Sequence, residues 1–255
     1  MYHLDGSEIM ATVFLRETNL KAIQDVAISF LHLPLKETEL GPLFVQHPFF
    51  NSAFVDERVD GKIQIVNILR DQEAYQRKLS EMSDRIKNSD LLYIWHMILD
   101  KYHLTFLKYT KQHLSQKDFS VLLADAWVSS EDPNQDVNVP IKTAAMWFRQ
   151  ADKRYLMGKD EFDVWQKLPN SFQIYRGVAV GRNPKGLSWT QNFETAKWFA
   201  HRFDTDSQKG YIQTATIERK QALAYLNGRG EDELVVDSSK LTIQKLSVDH
   251  ASSKK

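Results

Sequence analysis

The feature that most constrains the fold is a change of pattern at Pro169. Before this proline, apolar residues recur at three- and four-residue spacing, as in residues 17–33, which is typical of amphipathic helices. After it, short runs rich in β-branched and aromatic residues are separated by turns, which is typical of strands. Because helices and strands are segregated and do not alternate, the sequence predicts the α+β class and argues against a doubly wound parallel sheet.

The composition is that of an ordinary globular protein and excludes several classes of function. Among 255 residues, 33 Lys and Arg balance 33 Asp and Glu. The formal net charge is therefore zero, and it provides no overall electrostatic attraction to nucleic acid. The chain has no cysteine, so disulfides and thiolate metal sites are excluded. No apolar run reaches the roughly 18 residues of a membrane span, and no Sec-type signal is visible. We expect no membrane insertion, and either a cytoplasmic location or delivery into a host or target cell by another route.

Helices are predicted over most of the chain before Pro169. The predicted segments are 17–33, 63–87, 90–109, 115–128, 141–156 and 160–167. Ser115 is the expected N-cap of its helix, with Asp118 in the first turn. Residues 35–61 give a mixed signal, and 129–140 is the clearest loop. We therefore describe 1–130 as a helical N-terminal region.

The predicted strands follow Pro169, with one helix among them. The strands are 172–180, 187–190, 211–217, 222–226, 234–236 and 241–246, and the helix is 192–203. Residues 251–255 are small and charged and are predicted to form a disordered tail.

Three short motifs in this second part contain residues suited to catalysis. One strand ends in Arg176-Gly177, a second reads Leu187-Ser188-Trp189-Thr190, and Glu231-Asp232-Glu233 precedes a valine-rich run. Side chains two apart on extended backbone share a side, so we expect the carboxylates of Glu231 and Glu233 to face one site. Such a pair suits a reaction through a positively charged sugar, because one carboxylate stabilises the cation and the other prepares the nucleophile.

The order Arg176, Ser188, Glu233, with the helix 194–200 after the second motif, resembles the Arg–Ser–Glu class of mono-ADP-ribosyltransferases, which includes arginine-modifying toxins and phage enzymes. The resemblance covers roughly residues 140–247. It implies an NAD-binding core over 131–250 with the ADP-ribosyltransferase fold, a split, mainly antiparallel β-sandwich with flanking helices. It also implies an enzyme that cleaves NAD, needs no metal, and transfers ADP-ribose to an arginine of a target protein, as a bacterial or phage effector does.

The resemblance implies a catalytic role for four residues. Arg176 would clamp the pyrophosphate, and Ser188 would position the catalytic glutamate. Glu233 would stabilise the sugar cation, and Glu231 would orient or deprotonate the acceptor. A Glu at the first position of the pair points to arginine as the acceptor. Without the other motifs, a surface ion pair is the favoured interpretation of Arg176, and ordinary half-exposed sheet surface is that of Ser188.

Three further positions are implied to bind NAD. The backbone of Gly177 would hold the nicotinamide carboxamide, Thr190 would shape the cleft beside Ser188, and Phe193 would stack on nicotinamide. The alternatives are a plain turn glycine at Gly177 and core packing of Phe193 on its helix.

Other functions stay open at this point. An NAD glycohydrolase would use the same residues with water as acceptor, and a catalytically silent binding module would keep the fold alone. A metal site at His96, Asp100 and His103, which can share a helix face, is disfavoured because a further ligand is missing.

Overall fold

Helices dominate the first part of the chain and strands the last, over the residues that the computed structural model describes, 14–59 and 61–246. The predicted tail 251–255 lies outside the described residues. The helices are α1 (Leu20–Leu31), α2 (Gln72–Lys87), α3 (Leu91–Met97), α4 (His103–Thr110), α5 (Gln116–Ser129), α6 (Ile141–Gln150), α7 (Lys153–Leu156), α8 (Lys159–Lys167) and α9 (Phe193–His201). The strands are β1 (Lys36–Thr38), β2 (Gly41–Gln46), β3 (Phe54–Val59), β4 (Lys62–Asn67), β5 (Ser171–Val178), β6 (Ser188–Thr190), β7 (Tyr211–Glu218), β8 (Ala222–Leu226), β9 (Glu233–Val236) and β10 (Gln244–Leu246). The α+β class is confirmed.

Several helices begin where a short polar side chain caps them. The Asn19 side chain accepts a hydrogen bond from the Ala22 amide at 3.1 Å at the start of α1. Ser115 accepts one from the Asp118 amide at 3.1 Å at the start of α5, as predicted. Such caps satisfy amide groups that have no partner inside the helix.

The helix predicted over 63–87 is wrong in its first part. Residues Lys62–Asn67 form β4, which pairs antiparallel with β3, and helix α2 starts only at Gln72 after the N-cap Asp71. Residues Lys62-Ile63-Gln64-Ile65 alternate polar and apolar, the apolar residues of the strand are β-branched, and Gly61 takes a positive φ of 77°. These are hairpin signals that outweigh a weak helical period. With β1 and β2 forming a second hairpin, the described part of the helical N-terminal region contains four strands.

Two predicted helices are interrupted, each at a point where a backbone amide donates a hydrogen bond to a group that is distant in sequence. Residues 141–156 divide into α6 and α7 at Ala151, where the Asp152 amide donates to Ser120 Oγ at 2.9 Å. Residues 90–109 divide after α3, where the Leu99 amide donates to the Pro48 carbonyl at 2.8 Å. Neither hydrogen-bond partner is near in sequence, so the local sequence pattern does not predict these breaks.

In the described part of the chain, six strands form one antiparallel sheet in the order β10-β7-β5-β6-β9-β8. Strands β5 and β7 pair over their whole length, but β5 and β6 meet at the single pair Tyr175 and Thr190. Thr190 also pairs with Glu233 on β9. The pairing between neighbouring strands is therefore shortest between β5 and β6, where the three predicted motifs lie side by side.

The N-terminal helices and the sheet share a main hydrophobic core, and α9 packs on Ile212 of β7 in a second, smaller cluster. The main cluster of buried residues extends from Ile23 on α1 to Val236 on β9 and includes Trp95, Trp127 and Trp189. Side chains on both sides of residue 130 therefore pack together, and the division into regions 1–130 and 131–250 stays a prediction. No helix in the described ranges is long and apolar enough to cross a membrane.

Candidate functional site

All predicted site residues except Phe193 line one cavity. The cavity lies where β5 and β6 are joined by a single residue pair. Arg176 comes from β5, Ser188 and Thr190 from β6, and Glu233 from β9, while Glu231 precedes β9. The cavity encloses about 700 Å³, counting the part open to solvent.

The Arg176 guanidinium is buried inside this cavity wall rather than lying on the surface. Its Nη1 donates to the Ser188 carbonyl at 2.6 Å and its Nη2 to the Asn183 carbonyl at 3.0 Å. Its Nε is buried without a hydrogen-bond partner in the described part of the protein. Burial lowers the pKa of Arg176 to about 10, against the opposing effect of the nearby Glu233 carboxylate. Arg176 is therefore a fixed positive charge at neutral pH.

Gly186 makes room for that guanidinium. A Cβ on Gly186 would lie 2.0 Å from Nη2 of Arg176 and 2.7 Å from Oδ1 of Asn134. No side chain larger than hydrogen fits there unless the guanidinium moves. Gly186, in the connection between β5 and β6, thus contributes directly to the position of Arg176.

Glu233 is buried and held by donors from two different parts of the chain. Trp127 on α5 donates its indole N–H to Oε1 of Glu233 at 2.8 Å, and the Ser188 hydroxyl also donates to this carboxylate. The Ser188 oxygen in turn accepts from Nδ2 of Asn134 at 2.9 Å. The Asn134 side chain is itself oriented, because its oxygen accepts from the Leu187 amide at 2.6 Å. A chain of hydrogen bonds therefore fixes the Glu233 carboxylate.

Burial raises the pKa of Glu233, and the hydrogen bonds from Ser188 and Trp127 oppose that rise. The negative charge of Glu231 also raises this pKa, whereas the positive charge of Arg229 lowers it. A buried carboxylate with a perturbed pKa in a cavity is typical of a functional site.

Glu231 lines the same cavity, but the predicted geometry of the pair is wrong. Asp232 between the two glutamates has a φ of 49°, so the backbone there is not extended and the same-side rule does not apply. Glu231 is partly exposed and pairs with Arg229, whose Nη2 lies 3.4 Å from Oε2. The turn, not strand alternation, brings Glu231 to the cavity of Glu233.

The remaining predicted residues have mixed positions. Gly177 lines the cavity but is inside β5, where a Cβ would lie 2.2 Å from the Ala196 carbonyl of α9. Thr190 lines the cavity, and its hydroxyl oxygen accepts from the Asn192 amide at 3.1 Å. Phe193 is outside the set of lining residues and packs edge-on against Tyr175 with ring centroids 5.3 Å apart. Its position fits the core-packing alternative.

Sequence reasoning missed several residues of the site. Trp127 and Asn134 lie on an N-terminal helix and in the loop 129–140, and neither has a motif that marks it. Arg202 lines the cavity and has its guanidinium 5.0 Å from the Phe199 ring and 4.7 Å from the Phe203 ring. No carboxylate in the described ranges forms an ion pair with Arg202, whereas the neighbouring Arg182 pairs with Asp132. The sequence Trp198-Phe199-x-x-Arg202-Phe203, which extends from α9 beyond its C-terminus, was an available signal for Arg202.

The described residues contain no group of three or more His, Cys, Asp or Glu side chains arranged to hold a metal ion. A comparison with protein-family models, with curated proteins and with solved structures found no match to this chain.

Proposed function

We propose that the protein is a mono-ADP-ribosyltransferase that cleaves the nicotinamide–ribose bond of NAD and transfers ADP-ribose to an arginine of a target protein. The observation that carries this proposal is that Arg176, Ser188 and Glu233, from three strands, line one cavity. Within it the Glu233 carboxylate is held by Ser188 and Trp127. We further propose that the six-stranded sheet, narrowed to one residue pair between β5 and β6, is the sheet of the ADP-ribosyltransferase fold.

The cavity has positive groups suited to a pyrophosphate. Arg202 has no carboxylate ion-pair partner among the described residues, and its planar group can donate two parallel hydrogen bonds to phosphate oxygens. Arg176 uses two donors on backbone carbonyls. In this proposal Arg176 supports the cavity wall and supplies positive charge close to the pyrophosphate. Arg202 donates hydrogen bonds to the phosphate oxygens.

Glu233 provides the catalytic electrostatics. When the bond from the ribose to nicotinamide breaks, nicotinamide leaves with the bonding electron pair and positive charge develops on the sugar. A carboxylate whose orientation is already fixed favours this charged transition state over the ground state. Since burial also raises the pKa of Glu233, the hydrogen bonds from Trp127 and Ser188 help to keep it ionised.

Glu231 prepares the acceptor in this proposal. It lies at the partly exposed side of the cavity and already contacts one guanidinium, that of Arg229. A guanidinium holds its proton far above neutral pH, so a carboxylate that accepts this proton during attack assists the transfer.

The test is incubation of the protein with NAD labelled in its adenylate part and with a lysate, followed by separation of proteins and nucleotides. Labelled target proteins that lose their label when Glu233 is replaced support the transferase. Free ADP-ribose without labelled protein contradicts the transferase and indicates a glycohydrolase. No NAD turnover by a folded sample indicates a binding module.

A further inference from the structure

Arg229, in the turn between β8 and β9, lies beside the carboxylate to which the proposed function gives the acceptor role. It lines the cavity together with Glu231 and Glu233. Its Nη2 is 3.4 Å from Oε2 of Glu231, the carboxylate assigned to the acceptor, and its side chain remains partly exposed. Its positive charge also acts on Glu233 and lowers the pKa of that residue, which is a second sign of its proximity.

The turn holds Arg229 in this place. The Asn227 amide donates to Oε1 of Glu161 at 2.6 Å, and the Gly230 amide donates to the Asn227 carbonyl at 2.9 Å. Arg229 itself donates through Nη1 to the Ser130 carbonyl at 3.3 Å. A nucleophile held beside the reacting centre reacts as if it were at very high concentration.

The other arginines that line the cavity do not share this position. Arg176 is buried and bonded to backbone carbonyls, Arg182 pairs with Asp132, and Arg202 stacks on aromatic rings. Among the described arginines, Arg229 alone forms an ion pair with Glu231.

We infer that Arg229 is a site of intramolecular self-modification, an arginine of the chain's own cavity that receives ADP-ribose in the absence of a target protein. This inference rests on the proposed function. The bond between the ribose C1′ and nicotinamide breaks, and nicotinamide leaves neutral with the electron pair. A guanidinium nitrogen of Arg229 forms a new bond to C1′, and the proton it loses passes to Glu231 and then to solvent.

The experiment uses the purified full-length protein with NAD and no target protein. The sample is examined by intact mass and by mapping of the modified peptide. A parallel reaction contains agmatine, a small free guanidine, as a competing acceptor. Arg229→Lys removes the guanidinium and keeps the charge. Arg154→Lys is the matched control, because Arg154 also pairs with a carboxylate, that of Asp152 at 2.6 Å, but does not line the cavity.

We expect one ADP-ribose per chain on Arg229 of the wild type and of Arg154→Lys, and complete loss of this mark in Arg229→Lys. The first-order rate constant of marking should not change with protein concentration, because donor and acceptor are in one chain. Mapping of the wild-type peptide decides the site even if Arg229→Lys folds poorly.

Four outcomes would overturn the inference: a mark at another residue, persistence of the mark in Arg229→Lys, a rate constant that rises with protein concentration, or modified agmatine beside an unmarked chain. The last outcome leaves the proposed function intact. Absence of nicotinamide release, of modified agmatine and of a marked chain overturns the proposed function and this inference together.

Discussion

Glu233 is the residue on which most of the site's electrostatics converge. It is a buried carboxylate, so ionising it opposes folding, while Trp127 and Ser188 supply donors that favour the charged form. A group in that position is better suited to stabilising a transient positive charge than to stabilising the fold. Charge and hydrogen bonding at this position can therefore be separated by substitution.

Glu233→Gln keeps an oxygen for the indole N–H of Trp127 but removes the charge. We expect NAD cleavage and transfer to fall by about 10²–10³-fold, the usual loss when one preorganised electrostatic group is removed. We expect Glu233→Ala to abolish both activities and to lower the free energy of unfolding by about 1–3 kcal/mol, because it leaves the Trp127 donor unpaired. Activity assays and urea unfolding check the two effects. A Glu233→Gln enzyme as active as the wild type would contradict the assigned role.

The pH dependence of stability follows from the raised pKa of Glu233. A carboxyl whose pKa is higher in the folded than in the unfolded state stabilises the fold at low pH and loses that contribution as pH rises from the ordinary value of 4.5 through the folded value. The free energy of unfolding of Glu233→Gln minus that of the wild type should therefore increase from pH 4 towards pH 8. A difference that is constant or decreases over this range would contradict the assignment. Urea titrations at a series of pH values measure it.

Glu231→Gln tests the acceptor role separately from bond cleavage. The amide keeps the size of the side chain, and it cannot accept a proton from a guanidinium. We expect transfer to agmatine to fall by about 10²-fold or more, as for loss of a general base, while slow hydrolysis of NAD continues. Simultaneous measurement of nicotinamide release and modified agmatine checks this expectation. Equal transfer by the variant and the wild type would refute the role of Glu231.

At the scale of elements, two glycines place the site by different means. Gly177 lets α9 pack against β5, since a Cβ there would lie 2.2 Å from one backbone atom of α9 and 2.5 Å from another. Gly186 instead makes room for the side-chain end of Arg176. The first glycine sets how two elements pack, and the second sets where one guanidinium points.

The same substitution at these two glycines should therefore have different effects. Gly177→Ala should lower the free energy of unfolding by on the order of 3 kcal/mol, because a helix backbone must move. Gly186→Ala should change stability less and weaken NAD binding and turnover, because the Arg176 guanidinium is displaced. Thermal unfolding and NAD titration of both variants check the contrast. A Gly186→Ala protein that binds NAD like the wild type would contradict the role given to Arg176.

At the scale of the whole molecule, the N-terminal helices and the sheet form one structure around the cavity. Trp127 is fully buried on α5, packs edge-on against Phe148 of α6 with ring centroids 5.1 Å apart, and reaches Glu233 across the core. The helical N-terminal region thus supplies a hydrogen-bond donor to the Glu233 carboxylate.

Trp127→Phe tests this link. It keeps an aromatic ring in the core but removes the N–H that lowers the pKa of Glu233. If activity requires ionised Glu233, the acid side of the pH–activity profile should move to higher pH, and turnover at neutral pH should fall. Profiles of the wild type and Trp127→Phe measure the shift. As a control, Trp165→Phe removes a partly buried indole donor, which bonds the Ala222 carbonyl outside the cavity, and it should leave the profile in place.

The α+β class, the final helix and the strands around the motifs were predictable from the sequence because hydrophobic period and turn residues are local signals. Arg176, Ser188 and Glu233 were also identified from the sequence, and the structure brings them to one cavity. Residues 62–67 and the breaks at Ala151 and Ile98 were not predicted correctly, since there a hairpin signal or a distant hydrogen-bond partner outweighed the local helical pattern.

The tertiary structure alone decided how the site is held. Trp127 donates to Glu233, Asn134 orients Ser188, and Gly186 makes room for Arg176 only because residues from 10 to 106 positions apart meet in space. Such contacts arise when elements pack, and no periodicity within one element encodes them. The sequence by itself determined which groups are available for chemistry, and packing determined their burial, their hydrogen bonds and the direction of their pKa shifts.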